Sequence, residues 1–141
     1  MKQTLYILRG LPASGKSTWA KNKAKEEPNT IIVNRDSIRT MLKGEYKLFP
    51  FGSKMEELVS DIEMTSMQSG LIMGYNVIID STGFRWGLSK EHIKDIYNVE
   101  LEIVDFTHVP LEVCIERDKN RENSVGEDVI RKFYNKYLKN E

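Results

Sequence analysis

The sequence lacks the features of a disulfide scaffold, a thiolate metal centre and a broad nucleic-acid interface. It has one cysteine, Cys114, in 141 residues, so neither a disulfide framework nor a cluster of thiolate ligands can form within the chain. Lysine and arginine total 21, and aspartate and glutamate also total 21, so the chain carries no net positive field. This balance disfavours a broad DNA interface, but it allows a short strand to bind in a local groove.

Long apolar segments are also missing. The first three residues lead directly into a strand-like run, and no long apolar stretch follows. We therefore expect no signal peptide, no membrane span and a cytoplasmic protein. No repeat, low-complexity segment or linker divides the sequence, so residues 1–141 are expected to form a single domain.

Short apolar runs alternate with amphipathic segments, as in an α/β protein. Residues 4–8 (TLYIL) and 76–79 (NVII) are nearly continuous apolar runs, typical of central parallel strands that helices cover on both faces. Residues 31–33 (IIV) predict a third strand. Residues 99–106 alternate apolar and acidic side chains, which predicts a half-exposed strand at a sheet edge. The pattern predicts a three-layer α/β/α sandwich around a mostly parallel sheet.

Two Ser-x-x-Glu capping boxes predict the starts of helices. The first, at residues 53–56, opens a helix whose inward residues are expected to be Met55, Leu58, Val59 and Ile62. The second, at residues 124–127, opens a last helix with an apolar face. Residues 44–52 (GEYKLFPFG) show no clear period, and their aromatic side chains are expected to pack rather than bind a ligand.

One motif predicts a phosphate-binding loop. Residues 10–17 (GLPASGKS) fit G-x-x-x-x-G-K-[ST], directly after the first predicted strand. The glycines let the backbone turn tightly, so that successive N–H groups and the next helix point at a phosphate. Lys16 is expected to reach the β- and γ-phosphates of ATP, and the Ser17 hydroxyl to coordinate Mg²⁺. The predicted nucleotide-binding residues are Gly10, Pro12, Ala13, Ser14, Gly15, Lys16, Ser17 and Thr18.

A second candidate segment, NRDSIR, follows the second predicted strand at residues 34–39. Asp36 falls near the start of a helix and Arg39 lies one turn on, so both side chains share one face. A phosphoryl-transfer enzyme needs a carboxylate that orients the acceptor hydroxyl and takes its proton, and Asp36 fits that role. Arg39 fits the role of binding a phosphate. The alternative is structural, with Asp36 as the helix N-cap, paired with Arg39 on the surface.

A third candidate is the arginine pair Arg117 and Arg121, spaced i,i+4 on one face at the end of a predicted helix. Transfer of a γ-phosphoryl group spreads negative charge over its equatorial oxygens, and an arginine from a mobile segment is a usual counter-charge. The polar residues 120–126 fit such a lid. The alternative is a solvated helix end whose basic residues face the negative end of the helix dipole.

Asp80 ends the central strand beside the phosphate loop, in the segment VIIDSTG. An acidic residue in this place usually holds Mg²⁺-bound water, so Asp80 joins Ser17 as a predicted metal ligand. Alternatively, Asp80 serves only to form the turn after the strand.

Thr82 is a candidate phosphate or acceptor contact. Arg85 and Trp86 are candidate substrate contacts, although Trp86 can equally anchor the next helix.

Together these segments resemble the kinase domain of phage 5′-polynucleotide kinases. The resemblance covers almost the whole chain in the same order, through GLPASGKSTWA, NRDSIR, VIIDST, VPLEVCIER, RDKNR and VIRKFYNKYL. The phosphate loop is shared by many NTPases, whereas N-R-D-x-x-R and the R-x-x-x-R lid are more specific. Two departures are the order D-S-T in place of S-D-T and the end of the sequence at Glu141, where the phage enzymes continue into a phosphatase domain. No 3′-phosphatase activity is therefore expected.

The resemblance implies a P-loop kinase fold and a reaction that uses ATP and Mg²⁺. It implies that Asp36 is the general base, that Arg39 contacts a phosphate of the acceptor, and that Arg121 is the second lid arginine. The implied acceptor is the 5′ end of single-stranded DNA or RNA, or a nucleoside 3′-phosphate.

Two other functions remain open from the sequence. A small-molecule kinase acting on a sugar, nucleoside, antibiotic or modified base would have the same catalytic parts and a different acceptor pocket. A nucleotide-driven switch would lack the acceptor-side carboxylate and arginine, both of which this sequence has.

Overall fold

Strands and helices alternate along the chain. The computed structural model describes residues 2–83 and 89–139, so the sequence-based candidates Arg85 and Trp86 lie outside the described residues. The elements are β1 (Thr4–Arg9), α1 (Lys16–Glu26), β2 (Thr30–Asn34), α2 (Arg35–Lys43), α3 (Lys54–Ile72), β3 (Asn76–Asp80), α4 (Ser89–Tyr97), β4 (Glu100–Asp105), α5 (Leu111–Lys119) and α6 (Glu127–Tyr137). None of the helices in these ranges is both long and apolar enough to cross a membrane.

The sheet is parallel, with the strand order β2-β3-β1-β4. The two strands predicted to be central, β1 and β3, are paired in the middle, where Leu5 lies opposite Val77. The half-exposed strand β4 lies at the edge beside β1, as its alternating pattern predicted. This order places the carboxyl ends of β1 and β3 side by side, which is where parallel sheets bind ligands.

Helices cover both faces of the sheet, which confirms the predicted three layers. Alternate residues of β1 point to opposite faces, as in any strand. Leu5 and Ile7 pack with apolar residues of α2, α3 and α4, whereas Tyr6 and Leu8 pack with Ala20 of α1. A third apolar cluster joins α5 to α6.

Some of the predicted details are wrong. Leu58 was expected to face inward, but its exposed fraction is 42%. The first half of the capping box at residues 53–56 is confirmed, because the Ser53 Oγ accepts a hydrogen bond from the Glu56 N–H at 3.3 Å. The second capping box is wrong, because Gly126 is the N-cap residue of α6 and caps with no side chain.

Asp118 explains the failure of that second box. Its carboxylate is 1% exposed and accepts hydrogen bonds from the Ser124 hydroxyl at 2.7 Å, the Val125 N–H at 3.0 Å and the Gly126 N–H at 2.9 Å. The Arg121 Nε donates to the same carboxylate at 2.8 Å. Asp118 therefore fastens the loop between α5 and α6, and Ser124 bonds to it instead of capping α6.

Gly83, just after β3, packs its backbone against the end of β1. A Cβ atom at this position would collide with the Leu8 carbonyl oxygen and lie 2.9 Å from the Arg9 Cα. The φ angle of +79° is also one that residues with side chains rarely adopt. The close approach keeps the two strand ends together, with the Gly10 N–H donating to the Thr82 carbonyl at 2.9 Å.

Gly83→Ala should therefore destabilise the fold by about 3 kcal/mol or more, since steric overlap adds to backbone strain. Gly44→Ala is the matched control, because Gly44 has a φ of +77° and nothing within 4 Å of its added Cβ. That control should cost only about 1 kcal/mol. Urea unfolding of both variants measures the difference, and equal losses would contradict the packing account.

Asp118→Asn should lower the free energy of unfolding by about 2 kcal/mol at neutral pH, since hydrogen bonds to a charged acceptor are among the strongest. Burial acts to raise the pKa of Asp118, but the hydrogen bonds from Val125, Ser124 and Gly126 outweigh it, so the pKa lies below its ordinary value. A lowered pKa gives stability that is complete above the unfolded pKa of about 3.9 and is lost as the pH falls through the folded pKa.

The difference between wild type and Asp118→Asn should thus stay constant above about pH 5 and shrink below about pH 4. Urea unfolding at a series of pH values measures it. Glu122→Gln, which removes an exposed carboxylate of the same loop, should show no such trend. A difference that is independent of pH down to pH 2 would show that the charge of Asp118 does not hold the loop.

Candidate functional site

A cleft of about 1610 Å³ opens at the carboxyl ends of the strands. The phosphate-loop residues from Pro12 to Thr18 line one side of it, and Asp36 and Arg39 line another. Asp80, Thr82, Arg117 and Arg121 also line it. Among the described residues, every predicted site residue except Gly10 therefore lines one cavity. The Gly10 carbonyl accepts a hydrogen bond from Lys16, which lines the cavity.

The phosphate loop turns sharply into α1. Ala13 and Gly15 have φ angles of +65° and +106°, conformations that turn the backbone N–H groups inward. Gly15 is the N-cap residue of α1, and no side chain among the described residues caps this helix. The first turn of α1 therefore presents its N–H groups and the positive end of its dipole to the cleft.

Lys16 is 7% exposed, and its Nζ donates to the Leu11 carbonyl at 2.6 Å and to the Gly10 carbonyl at 3.0 Å. Burial lowers the pKa of Lys16 to about 8, which the negative charge of Asp80 partly opposes. Arg121 lowers this pKa further, whereas Asp36 raises it. The loop carbonyls are neutral hydrogen-bond acceptors, so they do not balance the charge of the ammonium group. A bound phosphate would supply the negative charge that does.

Asp80 connects the phosphate loop to α2. Its carboxylate is 5% exposed, and its Oδ2 accepts hydrogen bonds from the Ser17 hydroxyl at 2.8 Å and from the Asn34 side-chain amide at 2.9 Å. The two predicted metal ligands, Ser17 and Asp80, are therefore in direct contact. Hydroxyl and carboxylate oxygens are the donors that Mg²⁺ prefers, so the pair fits a site for this ion.

Asn34 fixes the start of α2, a role that was not predicted from the sequence. Its side-chain oxygen accepts a hydrogen bond from the Ser37 N–H at 2.7 Å, so Asn34 is the N-cap. The alternative of Asp36 as the N-cap is therefore wrong. Asn is among the preferred capping residues, which is the signal that could have identified it. The Asp36 side chain is left half exposed, with 44% of its surface open.

Arg39 joins Asp36 to the largely buried carboxylate of Glu56. Its guanidinium donates to the Asp36 Oδ1 at 2.7 Å, and to the Glu56 Oε1 at 2.7 Å and Oε2 at 3.0 Å. Burial raises the pKa of Glu56, but the hydrogen bonds and charge of Arg39 and then Arg35 lower it more, so the group stays ionised at neutral pH. Glu56 therefore holds the Arg39 guanidinium in a fixed plane beside Asp36.

Glu56 was missed from the sequence because it fitted the capping box at residues 53–56. In the structure its carboxylate binds arginines rather than the start of its own helix. Arg35 donates to Glu56 at 3.2 Å and to Glu63 at 3.0 Å, which anchors α2 to α3 beneath the site. An arginine and a glutamate that pair between separate helices carry no local pattern in the sequence.

The arginine pair differs from its prediction in one respect. Helix α5 ends at Lys119, so Arg121 lies beyond the helix and does not share a helical face with Arg117. Both arginines still line the cleft. The loop that Asp118 fastens directs Arg121 there.

Residues 48–52 form another wall of the cleft, and the expectation that the aromatic side chains of residues 44–52 pack is only partly right. Phe49 and Phe51 both line the cleft, but Phe49 also packs against the core, whereas Phe51 is 60% exposed. The Tyr46 hydroxyl is buried, with no hydrogen-bond partner in the described part of the chain. Burial raises the pKa of Tyr46 to about 12, and the charge of Asp36 adds to this effect. The Tyr46 hydroxyl therefore stays protonated at neutral pH.

Comparisons with known proteins agree with this fold. A family model described as an AAA domain matches residues 5–139. A chain of the solved Pnkp1/Rnl/Hen1 RNA repair complex is 31% identical with a TM-score of 0.75, and the match covers 93% of this chain and 42% of that one. The L-seryl-tRNA(Sec) kinase of Methanococcus maripaludis is 27% identical over 143 residues, which cover 94% of this chain and 52% of the relative.

The chain thus spans about half, or less, of the length of these two relatives. A gluconokinase from Sinorhizobium meliloti 1021 is 16% identical with a TM-score of 0.55, over 92% of this chain and 71% of its own, and it shares the fold. The family match extends over nearly all of the sequence and includes the phosphate loop, the sheet and both helix layers. The chain therefore belongs to this AAA-domain family and has the fold of a P-loop kinase.

Proposed function

We propose that this P-loop kinase domain transfers the γ-phosphoryl group of ATP to a hydroxyl group, with the 5′-hydroxyl of a polynucleotide or nucleoside 3′-phosphate as acceptor. One observation carries the proposal. A half-exposed carboxylate, Asp36, and an arginine, Arg39, fixed by a largely buried glutamate lie in the same cleft as the phosphate loop. A nucleotide switch has no use for this second set of groups.

The donor would bind at the phosphate loop. The first turn of α1 and Lys16 would hold its β- and γ-phosphates, and the negative charge would stabilise the Lys16 ammonium, whose pKa burial lowers to about 8. The described residues contain no group of three or more His, Cys, Asp or Glu side chains that would hold a metal ion alone. Ser17 and Asp80 would therefore bind Mg²⁺ together with phosphate oxygens and water. Mg²⁺ in that place would neutralise charge on the phosphates.

The acceptor would bind beside Asp36. The Asp36 Oδ1 bonds to Arg39, which leaves the Oδ2 for the acceptor hydroxyl and its proton. Arg39 has five N–H groups, three of which donate to Asp36 and Glu56 among the described residues. The other two can bind a phosphate of the acceptor in the planar geometry that arginine provides.

Arg117 and Arg121 would act on the γ-phosphoryl group during its transfer. Arg121 donates its Nε to Asp118, and its terminal nitrogens are directed by that bond. Charge that develops on the equatorial oxygens during transfer would be met by Arg121, with Arg117 on the preceding helix. Arg121 contributes most if its contact strengthens in the transition state.

Two observations favour a nucleic-acid acceptor over a sugar or another small molecule. The structural relative belongs to an RNA repair complex and the sequence relative is named for a tRNA substrate, although each is much longer than this chain. Arg39 also provides a fixed site for a phosphate next to Asp36, the proposed general base. A nucleotide acceptor would fill this site, and an unphosphorylated sugar would not.

The acceptor test is to supply γ-labelled ATP with matched acceptors that have or lack a 3′-phosphate. A nucleoside 3′-monophosphate or a 5′-hydroxyl oligonucleotide should be used on the order of tenfold to a hundredfold better than the bare nucleoside, because charge-assisted hydrogen bonds are worth about 1.5–3 kcal/mol. Arg39→Ala should remove most of this preference. Glu56 keeps Arg35 as a partner in that variant, so the fold should survive.

Steady-state kinetics on the two acceptors decide the outcome. Equal use of both, or transfer to a sugar or antibiotic and to neither nucleotide, would contradict the polynucleotide acceptor and leave a small-molecule kinase. Hydrolysis of ATP without transfer to any acceptor of the panel would favour a nucleotide switch.

A further inference from the structure

Phe51 is an aromatic side chain that the proposed reaction does not use. It lies in the connection between α2 and α3, lines the cleft and is 60% exposed, whereas Phe49, which also lines the cleft, packs against the core. An exposed phenylalanine in a cleft wall contributes nothing to the core. The exposed part of its ring is accessible to a group that enters the cleft.

The Phe51 ring is held in place by α6. The Phe133 ring meets it edge to face, with 5.7 Å between the centroids and 71° between the planes. Phe133 in turn stacks on Tyr137 at 6.1 Å and 23°. Edge-to-face and stacked pairs are the preferred geometries of aromatic side chains. Phe51 is therefore an exposed ring on a packed support, which loses little entropy when a flat group stacks on it.

Positive charge flanks the same ring. The Lys132 Nζ lies 4.9 Å from the Phe51 ring centroid, and the Lys136 Nζ lies 5.9 Å from it. Lys132 lines the cleft, and with Lys136 it also lines a shallow groove of about 500 Å³ along α6. A route with positive charge thus leads from the cleft past Phe51 and along α6. Aromatic rings beside cations are how proteins bind single-stranded nucleic acids.

Phe51 also lies close in sequence to Glu56, whose carboxylate fixes Arg39. Two residues separate Phe51 from the start of α3, the helix that carries Glu56. If Arg39 binds the phosphate that follows the terminal nucleotide, the next nucleotide leaves along the wall to which Phe51 belongs.

We propose that Phe51 is a stacking platform for the second nucleobase of the acceptor strand. This inference rests on the polynucleotide acceptor proposed above. Stacking on phenylalanine tolerates any base, so the platform selects strand length rather than sequence. Binding of the second base is the same in the ground state and the transition state, so it lowers KM and leaves kcat unchanged.

The test compares two acceptors of equal length and charge. Each is a 5′-hydroxyl dinucleotide 3′-phosphate, one with a base on its second sugar and one with an abasic second sugar. Wild type should show a KM at least about fivefold lower for the base-containing acceptor, with similar kcat values. Phe51→Leu, which keeps an apolar side chain without a π-face, should bring the two KM values together. Phe51→Trp should retain the difference.

Tyr75→Leu is the matched control, since it removes a partly exposed aromatic ring that is not part of the cleft wall. It should leave the KM ratio unchanged. Equal KM values for the two acceptors in wild type, or a preference that survives Phe51→Leu, would overturn the platform. A nucleoside 3′-monophosphate serves as a third acceptor, and failure to phosphorylate it would count against the proposed function instead.

Discussion

The buried carboxylate of Asp80 is the contact on which the rest of the cleft depends. One oxygen of it accepts hydrogen bonds from Ser17 in the phosphate loop and from Asn34 at the end of β2. Asn34 also caps α2, which carries Asp36 and Arg39. The position of the acceptor-side groups relative to the phosphate loop is thus set by one short path of hydrogen bonds. Replacing Asp80 would remove the shared acceptor of Ser17 and Asn34, and replacing Asn34 would take one hydrogen-bond partner from the buried Asp80 carboxylate. Either change would loosen both sides of the cleft together.

Paired charges give the cleft its shape. Glu56 fixes Arg39, the proposed acceptor arginine, and Asp118 fixes Arg121 on the loop between α5 and α6. In each pair the carboxylate is the more buried partner, or as buried, and it determines where the guanidinium lies. Lys16 is different, because its ammonium bonds to loop carbonyls and its lowered pKa records a shortage of negative charge. This is the cation that a phosphate group of the nucleotide would stabilise most.

The sequence predicted the parts of the molecule that local patterns encode. The phosphate loop, the central strands and the edge strand all follow from runs, periods and motif spacing. Ser17 and Asp80 were predicted as metal ligands of one site, and the structure adds the hydrogen bond between them. Glu56 and Asp118 were not predicted, because their partners lie on other elements or across a loop. Asn34 was missed although its capping partner Ser37 is local, because Asp36 was taken as the candidate cap. Two of the errors have the same origin: Glu56 and Ser124 each fitted a capping box, but a buried partner formed a stronger bond than the helix end. The exposed Phe51 was missed because aromatic residues in an irregular segment usually pack.

The role of Asp36 is the central claim, and its most direct test is the turnover of Asp36→Asn. With the acceptor that wild type uses best, kcat should fall by about 10²–10⁴-fold, since the carboxylate that takes the hydroxyl proton is lost. The nucleotide Kd and the Tm should stay close to wild type, because Asn34 rather than Asp36 caps α2. Asp61→Asn, which removes an exposed carboxylate of α3, is the control and should turn over normally. An Asp36→Asn variant that turns over at nearly the wild-type rate per folded molecule would contradict the account.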